Sequence, residues 1–362
     1  MRKSAEYHIQ EDGSGAGAVF VLQKIAAPLL AWYELNRREL PWRTDQDPYH
    51  VWVSEIMLQQ TRVEAVMKYY ARFIETLPDV QSLSEVSEEK LLKLWEGLGY
   101  YSRARNLRKA AEFIVRDCGG QFPRTFSSLI KLPGVGEYTA GAIASICFHE
   151  KVTAVDGNVL RVAARVTGSR ENVLLPTVRK RMETRLREFL PDDAGTFNEA
   201  IMELGETVCL PGGAAKCAEC PLRDICAAFR YGLTPEIPVR VKKMKRRQEQ
   251  RTVLLLTDEK GRTAVEKRPS KGLLAGMYQL PNFDGFLTER EIRSRLEADG
   301  WKVMEITFLK DAKHVFTHLD WFMKGFQVWV AAPSEMYEWA TPAQLRDQYA
   351  LPTAFKPFIP SC

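Results

Sequence analysis

The chain has 362 residues, is 45% hydrophobic and 27% charged, and carries a formal net charge of +5. That length exceeds what one compact core usually serves, so two domains are expected, and the composition is that of a soluble globular protein. The mild positive charge does not by itself require a nucleic-acid partner. No apolar run approaches the ~20 residues that cross a bilayer, and the opening MRKSAEYHIQEDGSGAGAVF has no uninterrupted apolar segment of a secretory signal. Membrane-spanning and exported classes are therefore set aside. A cytoplasmic, reducing setting is expected, in which disulfides are rare and clustered cysteines more often bind metal.

Residues 1–18 read as a disordered tail, since GSGAGA is too small and flexible to pack. From residue 19 to residue 232 the pattern is all-α. Apolar residues recur at three and four, as in VLQKIAAPLLAWYEL and EEKLLKLWEGLGYYSRARNLRKAAEFIV. Residues 233–251, rich in Lys and Arg after two prolines, read as a basic linker, either a solvated tether or one that also touches phosphate. Residues 252–362 change texture to α/β. RTVLLLTDEKGRTAVEKR predicts two strands joined by a polar turn ending in Gly261, and WKVMEITFL and KGFQVWVA predict two more. TEREIRSRLEADG and TPAQLRDQY predict helices, each opened by a threonine N-cap.

Four segments of the helical part bear chemistry. In YHVWVSEIMLQQTRVEAVMKYYARF a helix would set Glu55 on a face with Val51, Trp52 and Leu58. A carboxylate there is either paired with a buried arginine or functional, and an apolar setting raises its pKa toward that of a usable acid. In LIKLPGVGEYTAGAIASICF, Gly134 and Gly136 allow a turn between two helices. It is either an anion-binding nest or a plain corner. Asp156, in KVTAVDGNVLRVAARV, reads as a helix N-cap or a second functional acid.

The fourth segment is CLPGGAAKCAECPLRDIC, which holds four of the seven cysteines at C-x7-C-x2-C-x5-C. Four thiolates suit a [4Fe–4S] cluster, which tolerates uneven spacing. Zinc, which commonly takes two C-x2-C knuckles, and unligated thiols stay open. Cys118, Cys147 and Cys362 stand alone and read as ordinary residues.

Taken together, LPWR, DPYHVWVSEIMLQQTRV, WEGLGYYSRARNL, LPGVGEYTAGAIAS, AVDGNVLRV, FNEAIMELG and the cysteine run make a close resemblance. The chain resembles the adenine DNA glycosylases of the bacterial mismatch-repair type, in the helix-hairpin-helix superfamily that includes endonuclease III. The resemblance runs from about Val21 to about Phe358. It implies a multidomain fold: an all-α helix-hairpin-helix domain with a [4Fe–4S] loop, then an α/β Nudix-like domain. It implies an enzyme that flips adenine out of duplex DNA opposite 8-oxoguanine or guanine and removes it, leaving an abasic site.

On that resemblance Glu55 matches the general acid and Asp156 the carboxylate that stabilises the oxocarbenium-like sugar, with Tyr138 and Asn158 in support. Tyr138 stands where lyase-competent relatives carry a lysine, so base removal without strong strand cleavage is implied. Arg43, Leu58, Val63 and Glu199 match the adenine pocket. Gln60 and Thr61 match residues near 8-oxoguanine, Leu98 and Tyr100 a wedge between bases, and Gly134 and Gly136 a phosphate-gripping hairpin.

Cys209, Cys217, Cys220 and Cys226 match the cluster ligands, with seven residues where the family has six in the first gap; Lys216 is the evident basic side chain of that loop. Phe316, Thr317 and His318, in FTHLDW, match a lesion-reading loop that usually has serine where Thr317 stands. Ser294 and Arg295 occupy places where a Nudix hydrolase has glutamates, so nucleotide hydrolysis is not expected. The resemblance implies a monomer bound to double-stranded DNA, with the linker as a contact for other repair proteins.

Overall fold

The computed structural model describes residues 22–241, 246–331 and 336–360. The tail expected at residues 1–18, residues 242–245 of the expected linker, and Cys362 lie outside the described residues. The helical part runs through α1 (Ala26–Asn36), α2 (Pro48–Leu58), α3 (Val63–Thr76), α4 (Val80–Glu85), α5 (Glu88–Leu94) and α6 (Ser102–Cys118). It continues through α7 (Phe126–Leu129), α8 (Glu137–Phe148), α9 (Gly157–Thr167), α10 (Pro176–Glu188), α11 (Ala194–Thr207) and α12 (Ala227–Arg230). No helix among the described residues is long and apolar enough to cross a membrane.

By contact the chain forms two units, each discontinuous. One takes the described residues up to 59 and from 113 to 241; the other takes 60–112 and the described residues after 245. In the first unit α8 is buried from Thr139 to Ile146, because Ala, Gly and Ser let neighbours approach closely. Its neighbours α9 and α11 each bury a long stripe, from Val159 to Val166 and from Phe197 to Gly205. Val155, Val159, Leu160, Phe197, Ile201 and Leu204 join one core, and Tyr138, Cys209, Cys220 and Cys226 pack on its margin. The buried Asn198 satisfies loop polar groups: its Oδ1 accepts from Ala154 N at 3.1 Å and its Nδ2 donates to Val152 O and Ser145 Oγ, each at 2.9 Å.

In the second unit the sheet has the order β3-β2-β1-β6-β5, built from β1 (Arg247–Asp258), β2 (Thr263–Lys267), β3 (Tyr278–Gln279), β5 (Val303–Val315) and β6 (Leu319–Val330). The short β4 (Asn282–Asp284) pairs with β1, and β7 (Glu338–Ala340) with β2. β1 lies parallel to β6 in unbroken register from Arg247↔Leu319 to Asp258↔Val330. Alternation along β1 supplies both faces: Val253 and Leu255 enter one core with Trp321 and Phe355, while Leu254 and Leu256 enter the other with Ile292 and Trp301. Both expected helices form, α13 (Glu289–Ala298) and α14 (Pro342–Asp347), and each has a threonine capping box, from Thr288 and Thr341.

The structure departs from expectation at two places here. β1 begins at Arg247, so Arg247–Arg251 form strand inside the stretch read as linker. Those residues are charged or polar and half or fully exposed, which hides the strand signal. Arg251 is held by Glu249 and by Asp284, at 3.1 and 2.9 Å. Likewise β5 extends well past the predicted WKVMEITFL, because it is an edge strand whose exposed LKDAKHV carries no apolar alternation.

Candidate active site

The local sequence builds a buried acid on a capped helix. Asp47 caps α2, accepting from Tyr49 N at 2.7 Å, with Pro48 in its first turn. α2 is buried from Val51 to Met57, and Glu55 is 6% exposed within it. Its Oε2 is buried and finds no hydrogen-bond partner among the described residues. Burial pushes the Glu55 carboxyl up to about 7; the Tyr138 hydroxyl pulls it down, and the charge of Asp156 pushes it further up. Of the two readings open from sequence, the pairing with a buried arginine is not what the geometry shows.

Asp156 is an N-cap and also part of this centre. Its Oδ1 accepts from Asn158 N and Val159 N, each at 2.8 Å, at the start of α9. Burial raises its pKa, while those two amides lower it. The N-terminal end of the helix favours the ionised form as well. The two acids thus sit in different surroundings: Glu55 is walled by apolar side chains, and Asp156 is fed by backbone N–H groups.

Tyr138, in the first turn of α8, donates its hydroxyl to Met202 Sδ at 3.0 Å, and burial and Glu55 hold it far up in the protonated form. Asn158 presents Oδ1 to Arg161 Nη2 at 2.9 Å. Gly205 on α11 permits that packing, since a Cβ there would come within 2.7 Å of the Asn158 side chain. Arg161 also donates to Cys209 O and Gly205 O, each at 2.8 Å. One turn on, the buried Arg165 donates to Cys209 Sγ at 3.3 Å and to the carbonyls of Leu210, Gly212, Thr234 and Ile237.

The expected adenine-pocket residues divide between the units. In the first, Arg43 Nε faces Glu199 Oε1 at 3.3 Å, and its Nη2 bonds Glu203 Oε2 at 3.0 Å; Leu58 is half-buried at the end of α2. Sequence reading missed Glu203 and Arg38. The buried Glu203 also takes two bonds from Arg38, at 2.6 and 3.0 Å, and so anchors the Arg43 guanidinium. Its spacing of four from Glu199 on a stripe otherwise apolar was the available signal.

Burial raises the Glu199 pKa against the pull of Arg43, whereas for Glu203 the arginines overcome burial and the pKa falls. Val63, Gln60 and Thr61 belong to the second unit, where Val63 is buried, Thr61 half-buried and Gln60 exposed with φ 63°. At the hairpin only Gly134 needs glycine's freedom, with φ 77°; Gly136 is extended, and its residue type is not forced by backbone angle. Both are exposed, and Val135 between them is buried.

In the second unit, the two expected wedge residues differ in exposure. Tyr100 is 45% exposed, while Leu98 is 6% exposed and packs inward. Phe316, Thr317 and His318 form the connection between β5 and β6, closed by Phe316 N donating to Leu319 O at 2.8 Å. Thr317 and His318 are exposed and Phe316 is half-buried on Trp321, with ring centroids 5.0 Å apart. The Tyr100 and Thr317 hydroxyls lie 2.9 Å apart within this unit.

The four cysteines Cys209, Cys217, Cys220 and Cys226 are half-buried and line one small cavity with Arg165, Lys216 and Phe229. Among the described residues no group of three or more His, Cys, Asp or Glu side chains is already arranged to hold a metal ion. The first gap contains a short turn, Gly212–Ala214, and Lys216 is exposed with its amide tied to Val208 O at 2.9 Å. Burial raises the Cys220 thiol to about 12, and neighbouring thiolates push the same way. Such a set of mutually repelling thiols fits a polynuclear cation, which would hold all four deprotonated.

Residues 53–191 match the family model described as HhH-GPD superfamily base excision DNA repair protein, and residues 252–361 match that of a NUDIX domain. The chain is 39% identical over 300 residues to the adenine DNA glycosylase of Arabidopsis thaliana, covering 72% of this chain and about half (47%) of that protein. It is 32% identical over 304 residues to the adenine DNA glycosylase of Buchnera aphidicola subsp. Baizongia pistaciae, covering 83% and 84%. A solved thermostable thymine-DNA glycosylase aligns with a TM-score of 0.52 and 26% identity, over 61% of this chain and all of that one.

Proposed function

The chain belongs to the adenine DNA glycosylases, and from that premise we propose that it excises adenine paired with 8-oxoguanine or guanine in duplex DNA and leaves an abasic site. The observation that carries the chemistry is Glu55: a buried carboxyl, poised near neutral, beside a second acid held by two backbone amides. Protonated Glu55 gives its proton to a ring nitrogen of the flipped base. The C1′–N9 bond then breaks, and its electron pair leaves with the neutral base. Ionised Asp156 faces the positive charge that develops on the sugar. Water adds to C1′, and its proton returns to the Glu55 carboxylate. Tyr138 and Asn158 hold the two acids in place. With a phenol and not an amine at Tyr138, no Schiff base forms there, so the strand is not cut by this protein.

Arg43 and Glu199 supply a donor and an acceptor for the base edge, with Leu58 as an apolar wall. The hairpin at Gly134 and Gly136 takes backbone phosphate, and Tyr100 wedges the base step. Gln60, Thr61, Phe316, Thr317 and His318 read the opposing 8-oxoguanine. Cys209, Cys217, Cys220 and Cys226 would hold a [4Fe–4S] cluster, which would brace the loop that Arg161 and Arg165 tie to α9. The protein acts as a cytoplasmic monomer on the nucleoid.

The test is single-turnover cleavage of a duplex with one adenine opposite 8-oxoguanine, run with and without hot alkali beside an A·T control. Breaks only after alkali, and only in the mismatched duplex, are expected. Breaks without alkali would restore a lyase reading, and no product from cluster-loaded protein would remove the two acids from the chemistry.

A further inference from the structure

The loop that offers Tyr100 is held from one side by a residue with no role assigned so far. Gly97, Gly99 and Tyr100 all have left-handed backbone, with φ 105°, 69° and 47°. For a tyrosine that conformation is uncommon and persists only where surroundings impose it. Part of the loop is fixed by its flanks. Leu98 N donates to Trp95 O at 3.1 Å, Trp95 Nε1 to Gly99 O at 3.1 Å, and Gly97 N to Tyr101 Oη at 3.3 Å. A Cβ at Gly97 would collide with Tyr69 Oη, so the backbone there is clasped between two tyrosines.

The centre of the arrangement is Arg103, the second residue of α6 and 8% exposed. Its Nη2 donates to Leu98 O at 3.0 Å and to Gly99 O at 3.2 Å, and its backbone N donates to Tyr100 O at 2.8 Å. The guanidinium also stacks over two rings, Trp95 at 5.4 Å and Tyr100 at 5.5 Å. Burial costs this cation enough to bring its pKa down to about 10, with Tyr100 as the opposing influence. A planar group that stacks on two rings while one of its nitrogens meets two successive carbonyls is a task for arginine and not for lysine.

We propose that Arg103 is a positioning residue for the wedge: it imposes the left-handed turn at Tyr100 and presets the angle of that ring before DNA arrives. This rests on the reading of Tyr100 as the aromatic that enters the base step. An aromatic ordered in advance loses less freedom on entering the duplex, so the benefit appears in mismatch binding and base unstacking and not only in fold stability.

The experiment is a double-mutant cycle on the full chain with its cysteine site loaded. Arg103→Gln, Tyr100→Ala and the double variant bind a duplex carrying 2′-fluoro-deoxyadenosine opposite 8-oxoguanine, with 2-aminopurine beside the mismatch. Tyr100→Ala is expected to weaken binding about tenfold or more and to quench the unstacking signal. Arg103→Gln is expected to lose a similar factor, and the double variant no more than the worse single. Arg103→Lys, which keeps charge without the planar stacking face, is expected not to rescue; it also carries the test should Arg103→Gln fail to fold.

Three outcomes overturn the proposal. Tyr100→Ala binding like the parent would sink the wedge reading itself. Losses that multiply in the double variant would show that Arg103 acts apart from Tyr100. A lowered melting temperature with binding and unstacking intact would leave Arg103 a purely structural residue.

Discussion

The buried acids of the helical unit and the exposed hairpin tip of the sheet unit solve opposite problems. Glu55 and Asp156 are enclosed, fixed by α2 and the N-terminus of α9, and their protonation is set by what surrounds them. Thr317 and His318 stand in solvent at the end of a long two-stranded hairpin. Bond cleavage needs groups whose charge is tuned before substrate arrives. Reading a base edge needs hydrogen-bonding groups that reach a partner and give up little solvation. The contrast says that substitutions in the first region should change rate, and in the second, preference.

The largest effect should come from Glu55→Gln, which keeps size and removes the proton donor. Single-turnover excision is expected to fall roughly 10²–10⁴-fold, with DNA binding retained; a loss under tenfold would end its assignment as general acid. Asp156→Asn should lose excision on a similar scale. Asparagine caps a helix as well as aspartate does, so thermal stability should hold; Asp156→Ala should in addition cost about 0.5–2 kcal/mol. If Asp156→Asn lost binding and activity together, the cap alone would explain the residue.

The pH dependence sharpens the same side. Activity needs Glu55 protonated, so the excision rate should decline as pH rises past about 7, approaching tenfold per unit, and this limb should be missing in Glu55→Gln. Stability follows the same sign. A carboxyl raised by folding stabilises fully below its ordinary value, and that contribution is lost as pH rises through about 7. Melting curves should therefore show Glu55→Gln gaining on the parent at pH 8, by up to about 3 kcal/mol, with the gap closing at pH 5.

Next in size is Glu203→Gln. Breaking a buried ion pair costs about 3–5 kcal/mol of stability when one charge is stranded. Here Arg43 keeps Glu199 and Arg38 keeps Glu206, so about half of that is expected in urea unfolding. Weaker adenine binding should show as a raised KM. An unchanged KM would detach Glu203 from the base pocket.

The smallest effect belongs to the reading hairpin. Thr317→Val should lose a hydrogen bond worth about 0.5–1.5 kcal/mol, a several-fold drop in preference for 8-oxoguanine over guanine, with the maximal rate unchanged. Thr317→Ser should restore it. A fall in maximal rate on an A·G duplex would erase the division between the two regions.

How much of this was legible in the sequence follows the same division. Glu55 announced itself as an acid on an apolar helical face, and Asp156 as the cap before a helical run; both signals are local. The partners of those residues were not legible. Arg38 and Glu203 meet across 165 positions of sequence, and Arg165 reaches four carbonyls in two separate stretches of chain, 210–212 and 234–237. The FTH loop could be named by motif, but its place at the tip of β5 and β6 was hidden, because the exposed half of β5 has no apolar rhythm. Leu98 shows the converse: its motif places it beside Tyr100, but its burial in the fold could not be read there.

The parallel pairing of β1 with β6 has a consequence for how the chain is made. β1 is the first strand to be synthesised after the basic segment, yet its twelve-residue partner, β6, follows only after β2, β3, β4, α13 and β5. Closing that pairing bridges a long loop, and non-local parallel pairing is slow to form. A ribosome that stalls before Leu319 would release a chain whose apolar β1 has an open edge, prone to pair with other copies. Premature termination in this region should therefore yield aggregation and degradation, and not a glycosylase that merely lacks its reader.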